Sequence, residues 1–143
     1  MVDKIIGTAT KLSEEKVKQI VSAHRLGMAA ENILGLLLEE YIAKNVAAKG
    51  WFCCWGNAVR SIDFISNRGE LLQIKNRSNS ENSSSVRVRD NTKILHWFRI
   101  DATNGKTQWS ELEKMTGATK LSEEGFGDFV VETMKTNPVL LRY

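Results

Sequence analysis

Ser61-Ile62-Asp63-Phe64-Ile65-Ser66-Asn67-Arg68-Gly69-Glu70-Leu71-Leu72-Gln73-Ile74-Lys75 is the stretch on which the fold turns. Ile62, Phe64 and Ile65 surround Asp63 in a strand expected over residues 59–66. Asn67-Arg68-Gly69 is a turn signal, and residues 70–75 form the next strand. Strands joined by so short a turn pair as an antiparallel hairpin. Side chains alternate across a strand, so Gln73 and Lys75 share one face while Ile74 points into the core. The hairpin can bring Asp63 to the Gln73 face as well.

Upstream, residues 12–49 read as helical. Ser13 is a good N-cap, and Glu14 and Glu15 complement the positive first turn. Val17, Ile20, Val21 and His24 recur at helical steps, and Gly27 is expected to break this first helix. A second helix over residues 29–48 sets Leu34, Leu37, Leu38, Tyr41 and Ile42 on one stripe and Ile33 and Leu36 on another, so it is buried centrally or covered by a partner. Gly50 closes it in the C′ position. Trp51-Phe52-Cys53-Cys54-Trp55 is a bulky run read as a strand, its cysteines buried and its tryptophans core fillers, as are Trp97 and Trp109.

Downstream, residues 76–92 are rich in Asn and Ser, beginning Asn76-Arg77-Ser78-Asn79-Ser80-Glu81-Asn82, and read as a loop. Residues 94–100 form a further strand carrying His96, Trp97, Phe98 and Arg99, with His96 packed in it. After the Asn104-Gly105 turn come helices over about 109–116 and 122–136, with Pro138 as a stop. Thr-Lys-Leu-Ser-Glu-Glu at 10–15 and again at 119–124 is reuse of a good helix cap, since the sequences beyond diverge.

The chain has 143 residues, 42% hydrophobic and 26% charged, with two cysteines and one proline. These proportions suit one globular domain spanning 1–143, with a core at about 29–100 and C-terminal helices at about 109–136. Disordered, collagen-like and disulfide-scaffold classes are excluded. Neighbouring Cys53 and Cys54 build neither a disulfide framework nor a zinc site, which points to a reducing cytoplasm. Met1-Val2-Asp3-Lys4 lacks the apolar stretch of a signal peptide, and no apolar run approaches a membrane span, so a cytoplasmic location with no membrane partner is expected. The net charge of +3 is unevenly spread: residues 60–106 carry nine Lys/Arg against five Asp/Glu, while residues 107–143 carry four against six. A basic middle third is a common footprint for a polyanion.

One carboxylate, one amide oxygen and one ammonium converging on a hairpin face make a workable phosphodiester-hydrolysis site. Asp63, the Gln73 side-chain oxygen and the Ile74 carbonyl can hold a hard divalent ion such as Mg²⁺, with water completing the shell. Lys75 is placed to orient the attacking water and offset charge on the phosphoryl group. Arg77, Arg87, Arg89 and Lys93 are candidate DNA contacts, reading guanine or holding phosphate, and Asn79, Asn82 and Ser83 can meet adenine or phosphate.

The order helix, Gly50-Trp51, strand, Asp63, Gln73-Ile74-Lys75 resembles the PD-(D/E)xK nucleases, in the Gln-x-Lys variant. The longer string Leu71-Leu72-Gln73-Ile74-Lys75-Asn76-Arg77, the Asn/Ser segment and His96-Trp97-Phe98-Arg99 look like type II restriction endonucleases of the SinI kind. The resemblance implies an α/β restriction-endonuclease-like fold, a mixed central sheet flanked by helices. It also implies Mg²⁺-dependent endonucleolytic cleavage of double-stranded DNA at a short recognition site. Ile62 stands where many members carry proline, and Gln73 where most carry an acid. A helix glutamate often joins the site in these enzymes. The spacing to Gly50 points to Glu39 or Glu40, Glu31 lies nearer the apolar stripe, and Glu40 is favoured. One active site per chain, with two strands to cut, implies a homodimer on a palindromic target. The alternatives are a non-catalytic nucleic-acid-binding module on the same fold, or a plain interaction domain.

Overall fold

The computed structural model describes residues 13–54, 62–78, 86–89 and 92–137. Its first element, α1, runs unbroken over Glu14–Val46. Ser13 caps it, its side chain accepting from the Lys16 N–H. The expected break at Gly27 does not occur. An interior glycine retains its N–H and weakens a helix by only about 1 kcal/mol relative to alanine, and Leu26, Met28, Ala29 and Ala30 around it are good helix formers. A Cβ at Gly27 would meet nothing within 4 Å, so the glycine answers no packing demand. The helix tightens into a 3₁₀ turn at Ala47–Lys49 and ends at Gly50, with φ of 83°.

The backbone at Gly50 calls for a glycine. Its left-handed backbone disfavours a side chain, and a Cβ there would lie 2.7 Å from the Asn67 amide. The Asn67 N–H donates to the Gly50 carbonyl at 2.8 Å, tying the end of the helix to the hairpin turn.

Among the described residues five strands follow: β1 (Trp51–Cys53), β2 (Phe64–Ser66), β3 (Leu71–Arg77), β4 (Val86–Arg89) and β5 (Thr92–Ile100). Their order across the sheet is β1-β2-β3-β5-β4. β3 pairs antiparallel with β2 and parallel with β5, so the sheet is mixed. β1 is shorter than the run to Trp55 suggested, and Trp55 lies outside the described residues, as does Pro138. β4 is a correction: Val86-Arg87-Val88-Arg89 pairs antiparallel with the start of β5 instead of belonging to a loop.

The described residues end with the helices α2 (Trp109–Thr116) and α3 (Glu123–Thr136). Ser122 caps α3 by accepting from the Gly125 N–H at 2.9 Å. Phe64, Leu72, Ile74 and Trp97 from the sheet form one buried cluster with Leu38, Ile42 and Val46 of α1, Leu112 of α2 and Phe126 of α3. Trp97 is wholly buried, its indole N–H satisfied by the Gln108 carbonyl at 2.8 Å. Tyr41 meets Trp109 edge-on, and its hydroxyl accepts from the Ser122 N–H, holding α3 to α1. Trp51, Trp97 and Trp109 are core residues, as expected. Among the described residues no helix is long and apolar enough to cross a membrane.

The two glycines give opposite expectations. Gly27→Ala should raise stability by about 0.5–1 kcal/mol, because an unstrained helix gains a better former. Gly50→Ala should lower it by about 1–2 kcal/mol, because φ is positive. Urea denaturation of both variants reads the signs. A destabilised Gly27→Ala would speak against a continuous α1.

Candidate active site

Asp63 sits where the hairpin stops pairing. Its N–H donates to the Leu72 carbonyl at 3.0 Å, and its carbonyl accepts from the Cys54 N–H at 2.8 Å. The backbone of Asp63 is thereby held on both sides. Two residues further along β3 the partner strand has ended, and the Asp63 side chain takes its place: Oδ2 accepts from the Ile74 N–H at 2.8 Å. Alternation along a strand puts the Ile74 carbonyl on that same edge. The antiparallel register ends at Phe64 opposite Leu72, which leaves Asp63 one residue before β2 and Gln73 one residue further along β3. Lys75 follows on the Gln73 face, exposed, and its positive charge acts on Asp63.

The helix glutamate that reaches this point is Glu39. It is hydrogen-bonded to Asp63, whereas the favoured Glu40 turns away and pairs with Lys44 at 3.7 Å. Glu39 precedes Ile42 by three residues and Val46 by seven, so it borders the buried face of α1. Glu40 lies a further 100° round the helix, four residues before Lys44, in the spacing of a surface ion pair. That i+3/i+7 relation to Ile42 and Val46 is the sequence signal that identifies Glu39. Glu31 is exposed, about 12 Å earlier along α1.

The electrostatics follow from this crowding. Burial, the Asp63 charge and the hydrogen bond to Asp63 raise the Glu39 pKa from its ordinary 4.5 to about 7. Burial also raises Asp63, against the lowering effects of the Ile74 N–H, the Glu39 hydrogen bond and the Lys75 charge. Ionising both half-buried carboxyl groups side by side is costly, which is why Glu39 holds its proton toward neutral pH. Cys53 and Cys54 are half-buried, not buried as expected, and lie beside the acids. Burial first, then Glu39, Cys54 and Asp63, push the Cys53 thiol up to about 11, so it stays protonated and no nucleophile.

Two carboxyl groups, the Gln73 amide oxygen and the Ile74 carbonyl are all hard oxygen donors, the set that suits Mg²⁺. Among the described residues no group of three His, Cys, Asp or Glu side chains is placed for a metal ion. Mg²⁺ is ordinarily held by one or two carboxylates with water and phosphate, so the residues present fit it.

The remaining candidates are more dispersed. Arg77 is exposed at the end of β3, in register with Ile100. Arg87 and Arg89 belong to the edge strand β4, opposite Ile94 and Thr92, and Lys93 lies in β5 opposite Val88. Asn79, Asn82 and Ser83 lie outside the described residues. His96 stands opposite Gln73 in the parallel pair, next to the site.

Between pH 4.5 and about 7 the folded chain retains a proton on Glu39 that the unfolded chain has released. Stability therefore falls as pH rises through that window. With divalent ions chelated, the melting temperature should decline over this range, and Glu39→Gln should remove part of the decline. Thermal melts in chelator across the window read this directly. A slope identical in wild type and variant would place the titration elsewhere.

A SinI restriction endonuclease family model matches residues 1–136. The type II restriction enzyme Eco47I of Escherichia coli is 41% identical over 135 residues, covering 91% of this chain. The type II restriction enzyme SinI of Salmonella infantis is 39% identical over the same length and coverage. The chain spans 59% of the length of each relative. Family model and relatives coincide over nearly the whole sequence, and the chain belongs to the SinI restriction endonuclease family.

Proposed function

We propose that this chain is a Mg²⁺-dependent DNA endonuclease of the type II restriction kind, hydrolysing phosphodiester bonds in duplex DNA at a short site and acting as a homodimer. The observation that carries the reading is the hydrogen-bonded Glu39–Asp63 carboxyl pair with the Lys75 charge beside it. The names of the relatives, both type II restriction enzymes, support it. In this reading the pattern Asp63…Gln73-Ile74-Lys75 is the PD-(D/E)xK motif with Gln in the acidic position, and Glu39 supplies the second carboxylate.

A bound Mg²⁺ would supply charge neutralisation on the phosphoryl oxygens and a lowered pKa for water, held by Asp63, Glu39, the Gln73 amide oxygen and the Ile74 carbonyl. Asp63 is kept in orientation by the Ile74 N–H, so its free lone pairs face the site. Glu39 would give up its proton to solvent as a cation is bound and would then serve as a second anionic oxygen donor. Lys75 hydrogen-bonds and orients the attacking water and offsets the negative charge that develops on the phosphate. Arg77, Arg87, Arg89 and Lys93, with Asn79, Asn82 and Ser83, are the proposed DNA contacts. A twofold pair of such sites suits cleavage of both strands of a palindrome.

Digestion of plasmid DNA with and without Mg²⁺, with the cut ends sequenced, tests the proposal. Asp63→Asn, Glu39→Gln and Lys75→Ala should each slow cleavage by about a hundredfold or more. Glu40→Gln, which loses only a surface ion pair, should stay within about twofold of wild type. Gln73→Glu should lower the Mg²⁺ concentration needed for half-maximal cleavage. Salt-sensitive DNA binding without cleavage would instead identify a non-catalytic DNA-binding module.

A further inference from the structure

Lys75 is exposed on a strand, and nothing in its own side chain explains how it keeps its aim. Its neighbours do. On one side, Ile74 is buried in the core and its N–H is spent on Asp63. On the other, Asn76 points to the opposite face of β3 from Lys75 and accepts at Oδ1 from Arg99 Nε at 2.6 Å. The parallel register sets Lys75 beside Phe98 and Arg77 beside Ile100, so Asn76 and Arg99 are neighbours across the two strands.

Arg99 is buried, and its guanidinium is committed elsewhere as well. Nη1 donates to Glu123 Oε1 at the first residue of α3, and the guanidinium lies over the Phe126 ring at 5.2 Å. Glu123 is itself held, its Oε2 accepting from the Trp109 indole N–H at 2.7 Å. A buried cation in such a place is no better for stability than a well-packed apolar residue. The planar guanidinium does hold a fixed donor geometry, with Nε on Asn76 and Nη1 on Glu123.

We propose that Asn76 and Arg99 are positioning residues for Lys75, a clamp running from α2 through Glu123 and Arg99 to the β3 residue that follows the ammonium. The clamp rests on the reading of Lys75 as a catalytic group. It holds the backbone at Lys75 from behind, while the ammonium itself faces the phosphate.

The test is a double-mutant cycle in the full chain, using Asn76→Ala, Lys75→Ala and both together. Cleavage kinetics, melting temperature and amide hydrogen exchange are the readouts. Asn76→Ala should lower kcat by about 10- to 100-fold, the range for loss of a supporting partner, with KM for DNA unchanged. In the Lys75→Ala background the same substitution should cost no further rate, while its effect on melting temperature persists. Exchange should quicken at the amides of residues 75–77 and stay unchanged at Leu72. Asn76→Asp, which keeps an acceptor for Arg99, should retain most of the rate. Glu123→Gln, which weakens the anchor and keeps Asn76, should repeat the pattern of Asn76→Ala in milder form. In a wild type that cleaves, equal rate losses with and without Lys75, or an Asn76→Ala kcat within about twofold of wild type, overturn the clamp alone. A wild type that does not cleave overturns the nuclease reading and, with it, the catalytic role of the clamp.

Discussion

The hydrogen bond from the Ile74 N–H to Asp63 Oδ2 is the interaction on which the site depends. β2 has only three residues and stops short of β3, leaving an unpaired edge. An edge N–H in a half-buried place needs an acceptor, and the Asp63 carboxylate provides it. The bond satisfies the sheet, sets the direction of the carboxylate, and brings a negative group against the end of α1. The raised pKa of Glu39 is the consequence of placing a second carboxyl group there. One local solution to an unfinished ladder thus generates both the geometry and the electrostatics of the site.

The framework around that bond is stiff for separate reasons. Gly50 locks the helix end to the hairpin turn through Asn67, which determines where along the hairpin the last turns of α1 lie. Tyr41, Trp97, Trp109 and Phe126 fill the space between sheet and helices with contacting rings. Arg99 links that same layer to β3 just beyond Lys75. Groups from α1, from β3 and from Asp63 just before β2 are brought to one point, with Asp63 fixed by backbone hydrogen bonds to both Leu72 and Cys54.

Much of this was legible in the residues. The hairpin, the alternation that puts Ile74 inward, the strand through Trp97 and the two C-terminal helices follow from period, turn residues and caps. Gly27 misled because a lone glycine weakens a helix without ending it, and propensity around it prevails. The Asn/Ser run before β4 dominates the composition and hides it, although Val86-Arg87-Val88-Arg89 alternates as a strand does. The spacing to Gly50 leaves Glu39 and Glu40 both open, because neither lies on the main apolar stripe of α1. Its flank, defined by Ile42 and Val46, is what meets the hairpin. The Arg99 network was not legible at all, because strand order decides which residues of β3 and β5 are neighbours, and a parallel pairing is a long-range choice.

The proposed function rests on one claim, that Glu39 keeps a proton beside Asp63 which a bound divalent cation would displace. Calorimetric titration of Mg²⁺ into the chain near pH 6.5, repeated in buffers of different ionisation enthalpy, counts the protons released on binding. The account predicts release of about one proton per site in wild type and almost none in Glu39→Gln. Mg²⁺ binding that releases no proton, or releases the same amount from the variant, would contradict it.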